Sequence, residues 1–203
     1  MIILLIKNFL QGLNFHKTTD IGLSLAVDKF VLRLIISLKI YIKMETKIQQ
    51  MIISQEQLLK HWQGHRGLTR RVIETFPEEQ LFNFTIGEMR PFGEMVQELL
   101  GIAGPGIKGL VTRKWEPLKE EFAVENSKKR LLELWDQATV EIDEWFPKLT
   151  TDEFQETVLA FGQYENKIYC TLMYFIDNEI HHRGQGYVYL RALGLEPPYF
   201  WEH

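Results

Sequence analysis

The feature that most constrains this chain is a long helical pattern near its end, over residues 166–193, whose buried side is polar in the middle. Apolar residues recur there at three- and four-residue steps, the spacing of one face of an α-helix. Asn178, Glu179 and His182 fall on that same face. Burying three such groups without partners would cost on the order of several kcal/mol. The helix must therefore pack where other elements provide hydrogen-bond partners, a metal ion or a polar pocket.

Three earlier segments have the same periodicity and carry their own start and stop signals. The first begins at Ser54 with Gln57 as a capping box and ends at Pro77, the second begins at Pro91, and the third begins at Asn126 or Ser127 and ends at Pro147. Pro105 lies between two glycines of the second segment and predicts a kink or a break. No stretch shows convincing strand alternation. The four segments predict an all-α four-helix bundle whose longest connection joins the second and third helices.

Residues 1–43 differ from the rest of the chain in charge. They contain six Lys or Arg and two Asp, and because the whole chain has a net charge of −4, residues 44–203 sum to −8. Charges interrupt the apolar stretches of residues 1–43 too often for a membrane span, and the features of a signal peptide are missing. We therefore predict an N-terminal extension, residues 1–43, and a bundle domain, residues 44–203. The preferred interpretation of the extension is translation from an upstream start, since Met44 opens a typical domain, and an amphipathic surface helix is the alternative.

The composition excludes several classes of protein. An acidic main body argues against nucleic-acid binding, which needs a basic surface. Cys170 is the single cysteine, so neither an internal disulfide nor a cysteine-rich zinc site is expected, and a small buried residue is a better interpretation of it than a nucleophile. Without a secretion signal, the cytoplasm is the expected location. Self-association as a homodimer through residues 101–110, GIAGPGIKGL, is a further expectation.

Candidate ligands for an ion lie on three of the predicted helices. His61 and His65 stand four residues apart, a spacing that lets two imidazoles meet one ion. Glu98 lies at the edge of the apolar stripe of the second helix, and His182 lies on the fourth. A structural role stays open for each of the first three: His61 on the solvent face, His65 bonded to a carbonyl, and Glu98 paired with a cation such as Arg90.

The run NEIHHRGQGYVYLRALGLEPP, residues 178–198, resembles the last helix of the DinB/YfiT-like superfamily. The hallmark of that helix reads His-x-x-x-His-Arg-Gly-Gln, followed by Tyr-Leu-Arg and a Gly-x-x-Pro-Pro stop. The stretches HWQGHRGLTRRVIETFP, RPFGEMVQELLGIAGPGIKGL and FGQYENKIY also look like members, so the resemblance covers about residue 51 to the end. It implies a four-helix bundle with a long crossover between helices 2 and 3. It also implies a divalent ion, usually nickel, zinc or manganese, held by three histidines, and transferases or isomerases that use thiols such as bacillithiol and mycothiol.

Carried over by position, the resemblance places the three metal ligands at Glu98, Asn178 and His182. His182 keeps the family's histidine, whereas Asn178 and Glu98 replace the other two. Carboxylate and amide oxygens suit a harder ion than three imidazoles do. Two outcomes stay open. Either the altered site still binds a divalent ion, or it has lost its metal and holds Glu98 and His182 as a buried carboxylate–imidazole pair.

Two functions follow from these outcomes. The first is a divalent-metal-dependent enzyme of the thiol S-transferase or hydrolase type, with His65 as a further ligand or base and Arg183 supporting the ligands or clamping an anion. The alternative is a metal-free small-molecule-binding or stress-response protein. Its pocket would be lined by four aromatic residues, Trp62, Phe175, Tyr187 and Tyr189. In both cases the expected partner is a small molecule, for example a low-molecular-weight thiol.

Overall fold

The computed structural model of the chain describes residues 31–42 and 52–203. The chain divides into two units, Met1–Ile52 and Ile53–His203. Residues 31–42 are helical and expose leucine and isoleucine side chains. The rest of the predicted extension, residues 1–30 and 43, lies outside the described residues. Across the described part of the chain, no helix is both long enough and apolar enough to cross a membrane.

Residues 53–203 form four long helices and one short helix. They are α1 (Gln55–Thr75), the short α2 (Glu78–Asn83), α3 (Phe92–Thr112), α4 (Lys128–Trp145) and α5 (Ile168–Ala192). The predicted all-α bundle is confirmed. The capping box of Ser54 and Gln57 starts α1, and the side chain of Ser127 caps α4. The helix α3 continues through the exposed Pro105, so a break does not occur there, and the alternative expectation of a kink stays a prediction.

The long helices pack so that α4 and α5 each contact both α1 and α3. Two apolar layers run across the bundle. One layer joins the first turns of α1 and α5 to the last turns of α3 and α4, and the other layer joins the opposite ends. Hence α3 and α4 run parallel to each other and antiparallel to α1 and α5. Parallel neighbours need a connection that returns along the bundle, and residues 113–127 form this crossover, as the resemblance implies.

A β-hairpin lies just before α5 and was not predicted. Strand β1 (Thr157–Ala160) pairs antiparallel with β2 (Tyr164–Lys167), and Ala160 lies opposite Tyr164. Each strand has four residues, and β2 is exposed throughout. Such short strands give too few positions for alternation to be recognised in the sequence.

The crossover lies directly against α3, one helical turn beyond Glu98. A Cβ atom at Gly101 would lie 1.8 Å from the carbonyl oxygen of Lys119, so only glycine permits this approach. Gln97 strengthens the contact, because its Oε1 accepts a hydrogen bond of 2.9 Å from the backbone N–H of Phe122. The crossover thereby forms one wall of the space beside Glu98.

Candidate functional site

Glu98, Asn178 and His182 meet between α3 and α5. Asn178 Nδ2 donates to Glu98 Oε1 at 3.2 Å, and His182 Nε2 lies 3.1 Å from the same oxygen. The other oxygen of Glu98, Oε2, is bound by Arg90, which precedes α3. Asn178 and His182 are one helical turn apart on α5, and for this reason both side chains reach one carboxylate. The three residues that the resemblance assigned to one site therefore lie together.

The surroundings of Glu98 favour its ionised form. Burial acts to raise its pKa, but the hydrogen bonds from Arg90 and Asn178 and the charge of His182 bring the pKa of Glu98 below its ordinary value. The ring of His182 touches a second acceptor, because its Nδ1 lies 2.7 Å from Gln185 Oε1. Glu98 and His182 thereby form a carboxylate–imidazole pair whose side chains are only 14% and 9% exposed.

A cavity of about 510 Å³ opens beside Glu98. Residues of α3, the crossover, the hairpin and α5 line it, and Ile102, Leu118 and Phe161 supply apolar surface. Among the described residues that line the cavity are three carboxylates, those of Glu98, Glu120 and Glu165, and neither lysine nor arginine. This cavity therefore combines an apolar wall with acidic groups.

The aromatic residues expected to line a pocket lie elsewhere. Trp62 and Phe175 pack in the core. Tyr189 is fully buried and its hydroxyl donates to the carbonyl of Arg90 at 2.9 Å. Tyr187 lies beside the segment that follows α5. None of the four lines the cavity at Glu98, which is built instead from the crossover and the hairpin.

A second polar set lies between α5 and α1. Glu179 is buried, and Thr69 Oγ1 donates to its Oε1 at 2.7 Å. Arg183 Nη1 donates to Thr69 Oγ1 at 3.1 Å and to the carbonyl of His65 at 3.2 Å. Arg66 Nη1 lies 3.8 Å from Glu179 Oε2. Burial raises the pKa of Glu179 above its ordinary value, although the charge of Arg66 acts in the opposite direction.

His65 belongs to this second set. Its Nδ1 lies 3.0 Å from Arg183 Nη2, and because a guanidinium only donates, Nδ1 must accept. Burial, together with the charge of Arg183, lowers the pKa of His65 to about 3, so the ring is neutral at pH 7. Within the described residues, no hydrogen bond or ion pair joins His65 or Arg183 to Glu98. The catalytic role expected for these two residues stays a prediction.

His203 lies over α1 and was not among the predicted site residues. Its ring stacks on that of His65 with 4.2 Å between centroids. His61 and His65 face each other through their Nε2 atoms, 3.2 Å apart. The sequence signal for this cluster was limited to the i, i+4 spacing of the first two histidines, because His203 is distant from them in the chain and follows the last helix.

The Glu98 site does not fit the three-histidine centre that the resemblance implies. It offers one imidazole, one carboxylate and one amide, and Arg90 already compensates the charge of the carboxylate. Asn178 turns its Nδ2 toward Glu98, and an amide nitrogen donates hydrogen bonds instead of binding an ion. Glu98, Asn178 and His182 therefore satisfy one another without an ion.

Comparison with known proteins identifies the family and the fold. The profile of the DinB family matches residues 44–202. The fold is similar to that of a DinB-like protein from Bacillus cereus, with 20% sequence identity, a TM-score of 0.57, and coverage of 72% of this chain and 97% of that one. A DinB-like protein from Bacillus subtilis gives 17% identity, a TM-score of 0.56, and coverage of 72% and 99%. No protein of curated function matches this chain.

Proposed function

This chain belongs to the DinB family, and from that premise we propose that it binds a small molecule in the cavity beside Glu98 without a resident metal ion. The observation that carries the proposal is the pairing of Glu98 with His182 at the cavity wall. Glu98 lines the cavity, and both of its oxygens are already hydrogen-bonded to protein groups. The pair therefore needs no metal ion to satisfy its hydrogen bonds, and its polar atoms can orient a ligand.

The cavity favours a ligand with an apolar body and a hydrogen-bond donor or a positive charge. Ile102, Leu118 and Phe161 can bury the apolar part, since binding pockets combine apolar walls with a few placed polar groups. The carboxylates of Glu98, Glu120 and Glu165 attract donors and repel anions. A low-molecular-weight thiol would need to enter with an amine or another donor toward Glu98.

A second candidate function, a metal-dependent enzyme of the thiol S-transferase or hydrolase type, is favoured by one observation. Of the three positions that the resemblance assigns to the ion, Asn178 and His182 lie 3.2 and 3.1 Å from one oxygen of the third, Glu98. An ion at this point would need the amide of Asn178 to turn its oxygen inward, and it would share the carboxylate with Arg90, which binds the other oxygen. His182 and Glu98 would hold a divalent ion such as nickel, zinc or manganese, which would supply Lewis-acid activation of water or a thiol.

Metal analysis and ligand binding on the untagged full chain separate the two functions. Elemental mass spectrometry measures bound nickel, zinc and manganese in the purified wild type. Amide NMR then follows a titration with bacillithiol, mycothiol and a set of aromatic primary amines. We expect that any bound metal remains in His182→Ala, which would place it outside the Glu98 site, and that shifts are confined to the cavity, in α3, the crossover and the hairpin.

Matched variants show whether ligand binding and metal binding depend on the Glu98 site. Glu98→Gln should weaken binding of a responding compound at least tenfold, and Asp177→Asn, an exposed carboxylate on α5, should leave it unchanged. If no compound shifts the cavity resonances, or if Glu98→Gln binds as wild type does, the ligand-binding proposal is wrong. Stoichiometric metal that disappears in His182→Ala would instead establish the metal-dependent candidate.

A further inference from the structure

A second place where ligating groups converge lies on α1, formed by His61, His65 and His203. Their candidate ligand atoms all lie within 4.8 Å of one another. His61 and His65 occupy one face of α1, one turn apart, and His203 belongs to the segment that follows α5. His61 and His203 are exposed, whereas His65 is buried. The cluster is therefore open to solvent on one side and anchored on the other.

Contacts of Gly64 and Arg71 with the C-terminal segment hold His203 against α1, and they involve no histidine ring nitrogen. A Cβ atom at Gly64 would lie 2.8 Å from the carbonyl carbon of His203, so the absence of a side chain at Gly64 lets this segment lie on α1. Arg71, two turns further along α1, donates to Glu202 Oε2 at 2.8 Å and to its carbonyl oxygen at 2.5 Å. These contacts bring the third imidazole to the two on the helix.

We propose that His61, His65 and His203 bind one divalent ion of borderline character, of which Zn²⁺ is the expected example, and that this ion links α1 to the segment after α5. Neutral imidazoles are the preferred nitrogen ligands of Zn²⁺, with bonds of about 2.0–2.1 Å. Two nitrogens on one tetrahedral ion are then about 3.3 Å apart. The Nε2 atoms of His61 and His65 lie 3.2 Å apart, which matches this separation.

Three protein ligands leave the fourth position of a tetrahedral ion for water or another ligand. That position would face solvent, because His61 and His203 are exposed. The ligands come from α1 and the C-terminal segment, whereas the positions that the resemblance assigns to the family's ion lie on α3 and α5. The proposed ion is therefore independent of Glu98, Asn178 and His182.

The contact with Arg183 determines which ring nitrogen of His65 carries the proton. In the structure Arg183 Nη2 donates to His65 Nδ1, so the ring proton of neutral His65 is on Nε2 and points to His61. Binding an ion at Nε2 moves this proton to Nδ1, and Arg183 must then release that one contact. Arg183 keeps its hydrogen bonds to the carbonyl of His65 and to Thr69 Oγ1. No net proton is released by His65, but one hydrogen bond is lost on binding, which limits the affinity.

Titration of the untagged full chain with Co²⁺, a spectroscopic substitute for Zn²⁺, tests the proposal. Visible absorption bands of tetrahedral Co²⁺ should grow to one equivalent per chain, and Zn²⁺ should remove them by competition. His203→Ala and His61→Ala change exposed residues and should fold normally, as circular dichroism will check. Each should weaken Co²⁺ binding at least tenfold.

Two further variants separate this site from the rest of the molecule. His181→Ala removes an exposed imidazole of α5, and Glu98→Gln alters the cavity site; both should retain the Co²⁺ spectrum. Absence of saturable binding in the wild type would overturn the proposal. So would wild-type affinity in both His61→Ala and His203→Ala, or loss of the spectrum in Glu98→Gln.

Discussion

Two neighbouring stripes of α5 carry polar groups, and they serve different partners. Asn178 and His182 face α3 and meet Glu98, whereas Glu179 and Arg183 face α1 and meet Thr69. Consecutive helical residues point about 100° apart, so a shift of one position changes the neighbouring helix. Glu98, the partner of the first stripe, lines a cavity, whereas the second stripe is closed within the bundle.

The two stripes differ in whether their carboxyl groups are available to a ligand. Glu98 lines a cavity and keeps a pKa below its ordinary value, because Arg90 and its other partners stabilise the charge. Glu179 is sealed among Thr69, Arg66 and Arg183, and burial raises its pKa. A carboxylate that is ionised beside a cavity can bind a ligand, whereas a sealed carboxyl group mainly joins helices.

The largest effect on stability should come from removing Glu179, which belongs to the stripe that is closed within the bundle. Glu179→Ala would leave Arg66 and Arg183 without their shared carboxyl group in the core, and should lower the free energy of unfolding by about 3–5 kcal/mol. Chemical denaturation followed by circular dichroism measures this loss. Asp177→Ala, an exposed neighbour on the same helix, is the control and should change stability by less than about 0.5 kcal/mol. Equal stability of the two variants would contradict the assignment of Glu179 to a sealed network.

A smaller effect on stability is expected when Glu98, the partner of Asn178 and His182, is changed. Glu98→Gln keeps the shape of the side chain and weakens three charge-assisted contacts, so we expect a loss of about 1–2 kcal/mol. Arg90→Ala removes one partner of the same carboxylate and should cost less still, since Arg90 is largely exposed. Should Glu98→Gln prove more destabilising than Glu179→Ala, the distinction between the two stripes would be wrong.

The pH dependence of the two carboxyl groups should have opposite signs. Glu98 has a folded-state pKa below the ordinary 4.5, so its contribution to stability is present above 4.5 and is lost as pH falls through the folded pKa. Glu179 has a folded-state pKa above 4.5, so its contribution declines as pH rises from 4.5 through that value. The stability of wild type minus Glu98→Gln should therefore increase with pH, and that of wild type minus Glu179→Gln should decrease. Denaturation series at several pH values between 3 and 7 measure both differences.

The smallest effect is expected outside both stripes. The family match begins at Met44, and both polar sets belong to the unit Ile53–His203. A chain that starts at Met44 should therefore melt within about 2 °C of the full chain, since it keeps the helical bundle and both polar stripes. Differential scanning calorimetry of the two chains is the measurement, and a large drop in melting temperature would assign residues 1–43 a stabilising role.

Much of the bundle could be predicted because its signals are local. The Ser54 capping box, the cap at Ser127 and the stop near Gly194 lie within a few residues of the helix ends they define. The inward direction of Asn178 and His182 followed from helical spacing, and both residues are buried. The hairpin escaped prediction because its strands are short. A break of α3 at Pro105, one of the two predicted outcomes, does not occur, because this proline lies on the exposed side of the packed helix.

The four helices, their caps and the polar character of the buried face of α5 could be predicted from the sequence, because these depend on periodicity and neighbouring residues. The partner of each polar group depended on the packing of the helices. This packing brought Arg90 to Glu98, closed Glu179 between two arginines, and carried His203 to His61 and His65. The physical reason is that helical period fixes the direction of a side chain, whereas the group it meets depends on which helices and loops pack against it.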